Sequence, residues 1–309
     1  MIGGICILWG HLGRCDMIRP VPKVAAVHDI SGYGRASLSV VLPVMAALGV
    51  QVCPLPTALL STQTSGFTGY HYRDLTDDMK RTMNHWNEIG LRFDGIYSGF
   101  LGSSRQIACV IDLISNFADD AALVVVDPVL GDEGESYGPI TDELVAGMRE
   151  LIGHADVIVP NHTEASLLLG EPYRSDITED QVIRRMKRLS DVGPSLVVIT
   201  SVPIASRRES SFVYMYDRIE ETAYRLEAPL LPAAYPGSGD MFASIMTASL
   251  MQRLPSDRAV ARAAEYVAQA IQEALDDQVP IREGLLIEPV LARLAGGEIT
   301  FSCTVVREG

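Results

Sequence analysis

A chain of 309 residues, 48% apolar and 21% charged, is long enough to bury a sizeable core and too apolar for a disordered chain. Its formal charge of −14 argues against a broad nucleic-acid surface or an anionic membrane as partner. Lys23, Lys80 and Lys187 are the only lysines, so a phosphate site here has to use backbone amides, Mg²⁺ or Arg.

Residues 1–20 read as a loose extension holding the apolar run Ile2–Gly10, with Met17 as an alternative start. No basic leader precedes that run, and no stretch reaches membrane-spanning length. From Lys23 onward, short β-branched runs alternate with helical patterns. Val24–His28 reads as a strand, Ala36–Leu48 as a helix, and Val50–Leu55 as a second apolar run. Asp94–Ser98, Leu123–Val126, Asp156–Val159 and Leu196–Thr200 have the length and apolarity of buried parallel strands. Between them, Ile107, Val110, Ile111 and Ile114 share one helix face; Leu144, Val145, Met148 and Leu151 share another, and Val182, Met186 and Leu189 a third. This alternation predicts an α/β fold, a doubly wound, mostly parallel central sheet with helices on both faces. Phe212–Tyr216 and Thr222–Leu226 break the rhythm as an antiparallel hairpin around Asp217-Arg218. Two helices follow, Asp240–Met251 and Ser256–Ala274, and Ile299–Val306 reads as an edge strand in the final segment.

The five cysteines, Cys6, Cys15, Cys53, Cys109 and Cys303, are scattered without CxxC spacing. That fits buried thiols in a reducing compartment rather than a disulfide framework or a zinc site. His28, His71, His85, His154 and His162 lack metal-ligand spacing and read as structural or surface residues, His28 least securely. There is no GxxxxGK[ST] motif. Gly32-x-Gly34 precedes a helix like a dinucleotide fingerprint, but Ser37 stands where the third glycine belongs and no acidic residue follows near Cys53.

Four segments carry chemistry. In Pro236-Gly237-Ser238-Gly239-Asp240 two glycines turn the chain tightly into a helix whose first amides are free to hold an anion, with an Asp in the first turn. Phosphoryl transfer needs such donors for the moving charge and a carboxylate for the acceptor's proton; the plain alternative is an N-cap with a dipole-complementing Asp. Asp127-Pro128-Val129-Leu130-Gly131-Asp132 follows a strand and offers two carboxylates to a hard cation, or a solvated turn. Asn161 and Glu164 stand either near Mg²⁺ and a triphosphate or in a capping box. Thr200 and Ser201 offer hydroxyls to a nucleotide or to a turn. All four fall at the carboxyl ends of expected strands, where open parallel sheets bind ligands.

Those segments, together with His28-Asp29-Ile30-Ser31-Gly32-Tyr33-Gly34, Leu60-Ser61-Thr62-Gln63-Thr64 and Tyr97-Ser98-Gly99-Phe100-Leu101-Gly102, occur in one order. The order resembles the pyridoxal (pyridoxine, pyridoxamine) kinases of the ribokinase-like superfamily over about Lys23 to Ala274. The resemblance implies a ribokinase-like kinase domain over residues 21–285, a tail over 286–309, and a cytoplasmic homodimer. It implies ATP and Mg²⁺, in many members also a monovalent cation such as K⁺. The reaction implied is phosphorylation of the 5′-hydroxymethyl group of a vitamin B6 vitamer. By motif, Asp240 is the base, and Gly237, Ser238 and Gly239 form the anion hole. Asp127, Asp132, Asn161 and Glu164 belong to the Mg²⁺–phosphate environment, and Thr200 and Ser201 approach the nucleotide. Ser31, Thr64 and Phe100 contact the vitamer, and Tyr137 lies in a covering segment. The chain departs from the family's pattern at Ser238, where Thr is commoner, and at Val27, where many members carry a serine near the pyridine nitrogen. Three rivals stay open: a hydroxymethylpyrimidine kinase, a non-catalytic vitamer- or nucleotide-binding protein, and an NAD-dependent oxidoreductase.

Overall fold

The computed structural model describes residues 21–138, 140–204, 206–207 and 209–308. The expected extension over residues 1–20, with Cys6, Cys15 and Met17, lies outside them.

The chain opens with β1 (Lys23–Ser31), buried along nearly its whole length as a strand covered on both faces must be. After it come α1 (Leu38–Ala47), β2 (Gln51–Leu60), the short β3 (Tyr72–Asp74) and α2 (Thr76–Glu88). The next unit is β4 (Phe93–Ser98), α3 (Ser104–Phe117) and β5 (Ala118–Val126), followed by a tight hairpin of β6 (Gly131–Asp132) and β7 (Glu135–Ser136). α4 (Asp142–Ile152), β8 (Val157–Ile158), α5 (His162–Leu169), α6 (Glu179–Ser190) and β9 (Leu196–Val202) continue the alternation. β10 (Ser210–Asp217) and β11 (Thr222–Pro229) form the antiparallel hairpin. The chain ends through α7 (Ser238–Met251), α8 (Ser256–Asp276), a 3₁₀ turn (Ile281–Glu283), α9 (Glu288–Leu294) and β12 (Thr304–Val306).

One ten-stranded sheet in the order β12-β11-β10-β9-β8-β5-β4-β1-β2-β3 spans the described residues. The stretch from β2 through β1, β4, β5 and β8 to β9 is parallel, and the antiparallel strands sit at its two edges. The mostly parallel α/β fold expected from the alternation is the one observed.

The sheet's two faces carry separate cores, and strand alternation assigns residues to them. Ala25 and Val27 of β1 face a core with α2 to α6, whereas Val24 and Ala26 face one with α1, α7, α8 and α9. Val197 and Ile199 of β9 join the first core, Leu196 and Val198 the second. α7 is buried from Met241 to Ser249, which explains its weak amphipathic pattern.

Several boundaries differ from expectation. β5 starts at Ala118 rather than Leu123, its first residues Ala-Asp-Asp-Ala being mostly exposed and so outside the apolar pattern. β9 runs on through Thr200 and Ser201 to Val202, and the edge strand of the tail is confined to Thr304–Val306, paired with β11. β3 and α2 have no counterpart in the hydrophobic pattern, because β3 is exposed and α2 buries only Thr76, Met79 and Met83. The chain beyond residue 285 runs into the second core, where Ile287, Val290 and Leu294 are buried.

Candidate active site

The parallel strands put Ser31, Phe100, Asp127, Asn161, Thr200 and Ser201 at or just beyond the carboxyl ends of β1, β4, β5, β8 and β9, on one edge of the sheet. The start of α7 reaches the same edge. Gly237 precedes the helix at φ 88°, and a Cβ there would stand 2.4 Å from the Arg35 carbonyl oxygen, so only glycine fits. Ser238 donates its hydroxyl to the Tyr235 carbonyl at 2.6 Å. The Gly239 and Asp240 amides have no partner among the described residues, and the space beside Gly239 is open. The glycine turn therefore presents free donors at a helix N-terminus.

Asp240 sits directly behind those donors with its side chain 15% exposed. Its Oδ2 accepts from the Ser37 amide at 2.8 Å, and its Oδ1 lies 3.9 Å from Nδ1 of His28. Burial pushes the Asp240 carboxyl up to about 6, against the opposing pull of the Ser37 hydrogen bond. His28 is wholly buried, packed edge-on against Tyr97 with ring centroids 4.4 Å apart. Burial drives its imidazole down to about 3, so it is neutral at physiological pH. Gly99 lies over that ring: a Cβ there would meet Nδ1 at 2.2 Å. Both ring nitrogens lack hydrogen-bond partners among the described residues.

Two further buried carboxylates face the same space. Burial raises Asp127, and the Asp240 charge raises it further. Glu164 is raised by burial and then by Asp127. Among the described residues no Lys or Arg forms an ion pair with any of the three. Asn161 and Glu164 form a complete capping box on α5: the Asn161 side chain accepts from the Glu164 amide at 2.9 Å, and Glu164 Oε2 accepts from the Asn161 amide at 2.8 Å. Their remaining capacity braces the segment after β5. Glu164 Oε1 accepts from the Leu130 amide at 3.1 Å, and Asn161 Nδ2 donates to the Gly131 carbonyl at 2.8 Å. The capping reading and the site reading thus coexist in the same two side chains.

The other expected residues are placed less centrally. Asp132 is exposed on the β6–β7 hairpin, its Oδ1 accepting from the Glu133 amide at 2.9 Å. Tyr137 follows that hairpin, half-exposed, its phenol raised by burial and by the charges of Glu164, Asp132, Asp127 and Asp240. Thr200 bridges to Asn161, and Ser201 beside it takes φ 54°. Ser31 is buried, Phe100 half-buried and Thr64 exposed. A cleft of about 250 Å³ opens beside them, lined by Ser31, Gly32, Tyr33, Gly34, Arg35, Ser39 and Glu283. His28, Asp29 and Ser37 were not singled out as site residues from the sequence. The available signal was the motif itself, a serine standing at the third glycine position of Gly32-x-Gly34-x-x-Ser37.

A glycine turn with free amides and a carboxylate beside it, facing two more carboxylates across an open sheet edge, is the arrangement of a phosphoryl-transfer site. The model of the phosphomethylpyrimidine kinase family matches residues 36–282. The chain belongs to this family. Among its relatives, the pyridoxal kinase of Ovis aries is 29% identical over 247 residues, spanning 72% of this chain and 74% of its own. A phosphomethylpyrimidine kinase candidate from Bacteroides thetaiotaomicron, crystallised with pyridoxal, is 44% identical with a TM-score of 0.89, covering 93% of this chain and 100% of that one. The pyridoxal kinase of Lactobacillus plantarum is 31% identical with a TM-score of 0.82, covering 89% and 96%. The resemblance to the pyridoxal kinases and the ribokinase-like fold it implied are both borne out, and the protein is a kinase. Membership removes the NAD-dependent reading, for which Ser37 already broke the glycine pattern. In this kinase no described helix is long and apolar enough to cross a membrane.

Proposed function

We propose that this kinase transfers the γ-phosphoryl group of ATP to the hydroxymethyl oxygen of a vitamin B6 vitamer, pyridoxal, pyridoxine or pyridoxamine. The observation that carries the reading is Asp240, a carboxylate held up to about 6 directly behind the unpartnered Gly239 amide. A base of that strength is ionised at neutral pH and still accepts a proton readily. Pyridoxal bound by the Bacteroides thetaiotaomicron protein and the pyridoxal kinase relatives support the choice of acceptor.

Asp240 takes the hydroxymethyl proton while the substrate oxygen bonds to the γ-phosphorus. The bond from that phosphorus to the bridging oxygen breaks, and ADP leaves with the electron pair. The turn Gly237-Ser238-Gly239 meets the charge of the moving group through the free Gly239 and Asp240 amides, the Ser238 amide being spent on the Tyr235 carbonyl at 3.2 Å, and Thr200 and Ser201 contact the nucleotide. Ser31, Thr64 and Phe100 receive the vitamer, with Tyr137 covering it.

Among the described residues no three His, Cys, Asp or Glu side chains converge enough to hold a metal ion alone. Mg²⁺ is commonly held by one or two carboxylates with water and substrate phosphates, and the buried Asp127, raised by burial and by the Asp240 charge, and Glu164, raised by burial and by Asp127, fit that mode. Asp127, Asp132 and Glu164, with Asn161 behind them, are the residues that would hold it. When bound, the ion supplies positive charge against the phosphate oxygens. A monovalent cation such as K⁺, a cytoplasmic location and a homodimer complete the reading by family analogy.

The test is ATP-dependent turnover of the three vitamers and of hydroxymethylpyrimidine, with Asp240→Asn as control. We expect turnover of a vitamer, reduced about a thousandfold or more in Asp240→Asn. Turnover of hydroxymethylpyrimidine alone would overturn the substrate, and near-normal activity of Asp240→Asn would overturn the base.

A further inference from the structure

Ser37 links the buried Asp29 carboxylate to the part-buried Asp240 carboxylate. Its hydroxyl donates to Asp29 Oδ1 at 2.5 Å, and its amide donates to Asp240 Oδ2 at 2.8 Å. Asp29 and Ser37 are both buried. Ser37 occupies the N-cap position of α1, where a serine ordinarily turns its oxygen onto the first-turn amides. No side-chain cap bond forms here, and the hydroxyl goes to Asp29 instead. The backbone of Ser37 sits at φ 52°, ψ −131°, a conformation that glycine adopts freely and a residue with a Cβ does not. It is also the place where a glycine-rich fingerprint carries its third glycine. An unused cap and a strained backbone at one residue both serve to aim a single amide at Asp240, and strain of this kind persists only where its surroundings over-determine it.

We propose that Ser37 and Asp29 are positioning residues for the transfer: their hydrogen bond locks Ser37 in a glycine-like backbone, so that its amide fixes the Asp240 carboxylate toward the acceptor hydroxyl. The inference rests on Asp240 acting as the base. The other titratable groups around Asp240 are neutral His28 and Asp29 on β1, Tyr97 on β4, Asp127 beyond β5 and Tyr137 beyond the β6–β7 hairpin. Arg35, just before α1, is turned away onto Glu288 at 2.8 Å.

Three proteins separate positioning from plain stability: wild type, Ser37→Ala and Ser37→Gly. Alanine loses the Asp29 bond and keeps the strain, so the backbone relaxes and the amide leaves Asp240. Glycine also loses the bond but has no strain to relieve, so the amide stays. Two signals are read, the pH profile of kcat with a B6 vitamer and the ¹³C titration of the Asp240 carboxyl in substrate-free protein, assigned by its loss in Asp240→Asn. Ser37→Ala should lower kcat about tenfold to a hundredfold with little change in the KM for ATP. It should also raise both the acid limb and the carboxyl midpoint by roughly half a unit or more, since a hydrogen bond to the charged form is lost. Ser37→Gly should return both toward wild type, whereas a merely structural role gives glycine the larger defect. A carboxyl midpoint unmoved in Ser37→Ala overturns the proposal whatever the turnover. A midpoint that moves in Ser37→Ala and returns in Ser37→Gly, in a wild type that phosphorylates nothing, upholds the hold on Asp240 and overturns the base assignment instead.

Discussion

At the scale of single residues, the site is a place where charge is buried at a cost to the fold. The folded carboxyl of Asp240 titrates at about 6, above its ordinary value of 3.8. Its contribution to stability is therefore complete below about pH 3.8 and lost as the pH rises through 6. Asp240→Asn, which keeps an oxygen for the Ser37 amide, should be about 1–3 kcal/mol more stable than wild type at pH 8. That advantage should vanish toward pH 4, as urea denaturation in metal-free buffer at the two pH values would read. Gly99 carries the opposite sign. Gly99→Ala drives a methyl into the His28 ring, which has no room to move, and should cost about 1–3 kcal/mol in the same assay. What was legible in the sequence at this scale follows chemistry written in the motif. Asp240 and the glycines before it announce themselves by type and spacing. The placement of His28, Asp29 and Ser37 beside Asp240 does not, because it depends on a backbone angle and on which strand end meets which helix start.

At the scale of elements, the same side chains serve structure and chemistry. Asn161 caps α5, pairs with Glu164 and ties down the Gly131 carbonyl, so the sequence pattern alone supported either reading. Asn161→Ala should cost about 1–2 kcal/mol from the lost cap and brace. It should also raise the KM for ATP more than it lowers kcat, as steady-state kinetics would show. Strands β5 and β9 were legible because Val124–Val126 and Leu196–Ile199 are unbroken buried apolar runs, as a parallel strand covered on both faces must be. α2 and β3 were not, since the first presents a mostly polar sequence and the second is exposed along its length. β9 overran its expected end because Thr200, a residue that looks like loop, donates its amide to the Pro160 carbonyl at 3.0 Å, and pairing with β10 resumes at Val202 after a register shift that takes in Ser201.

At the scale of the whole molecule, function follows from topology. Six consecutive parallel strands in the sheet bring residues from Ser31 to Ser201 to one edge, and packing of α7 against α1 delivers Asp240 there. That convergence was readable in advance for Asp127, Asn161 and Thr200, each of which follows or ends an apolar run, whereas the Gly237–Asp240 turn, expected at a strand end, instead opens α7 after a loop beyond β11. The last segment was not: Leu294 is wholly buried in the second core, where α9 packs on α8 and α1. Leu294→Ala should cost about 2–5 kcal/mol while unfolding remains a single transition, because that core is shared with α7.

The most direct test of the central claim is the identity of the product. Purified protein with ATP, Mg²⁺ and pyridoxal should yield ADP and a pyridoxal phosphomonoester in equal amounts, read by ³¹P NMR and mass spectrometry. ADP accompanied only by free phosphate, with pyridoxal unchanged, would contradict the account.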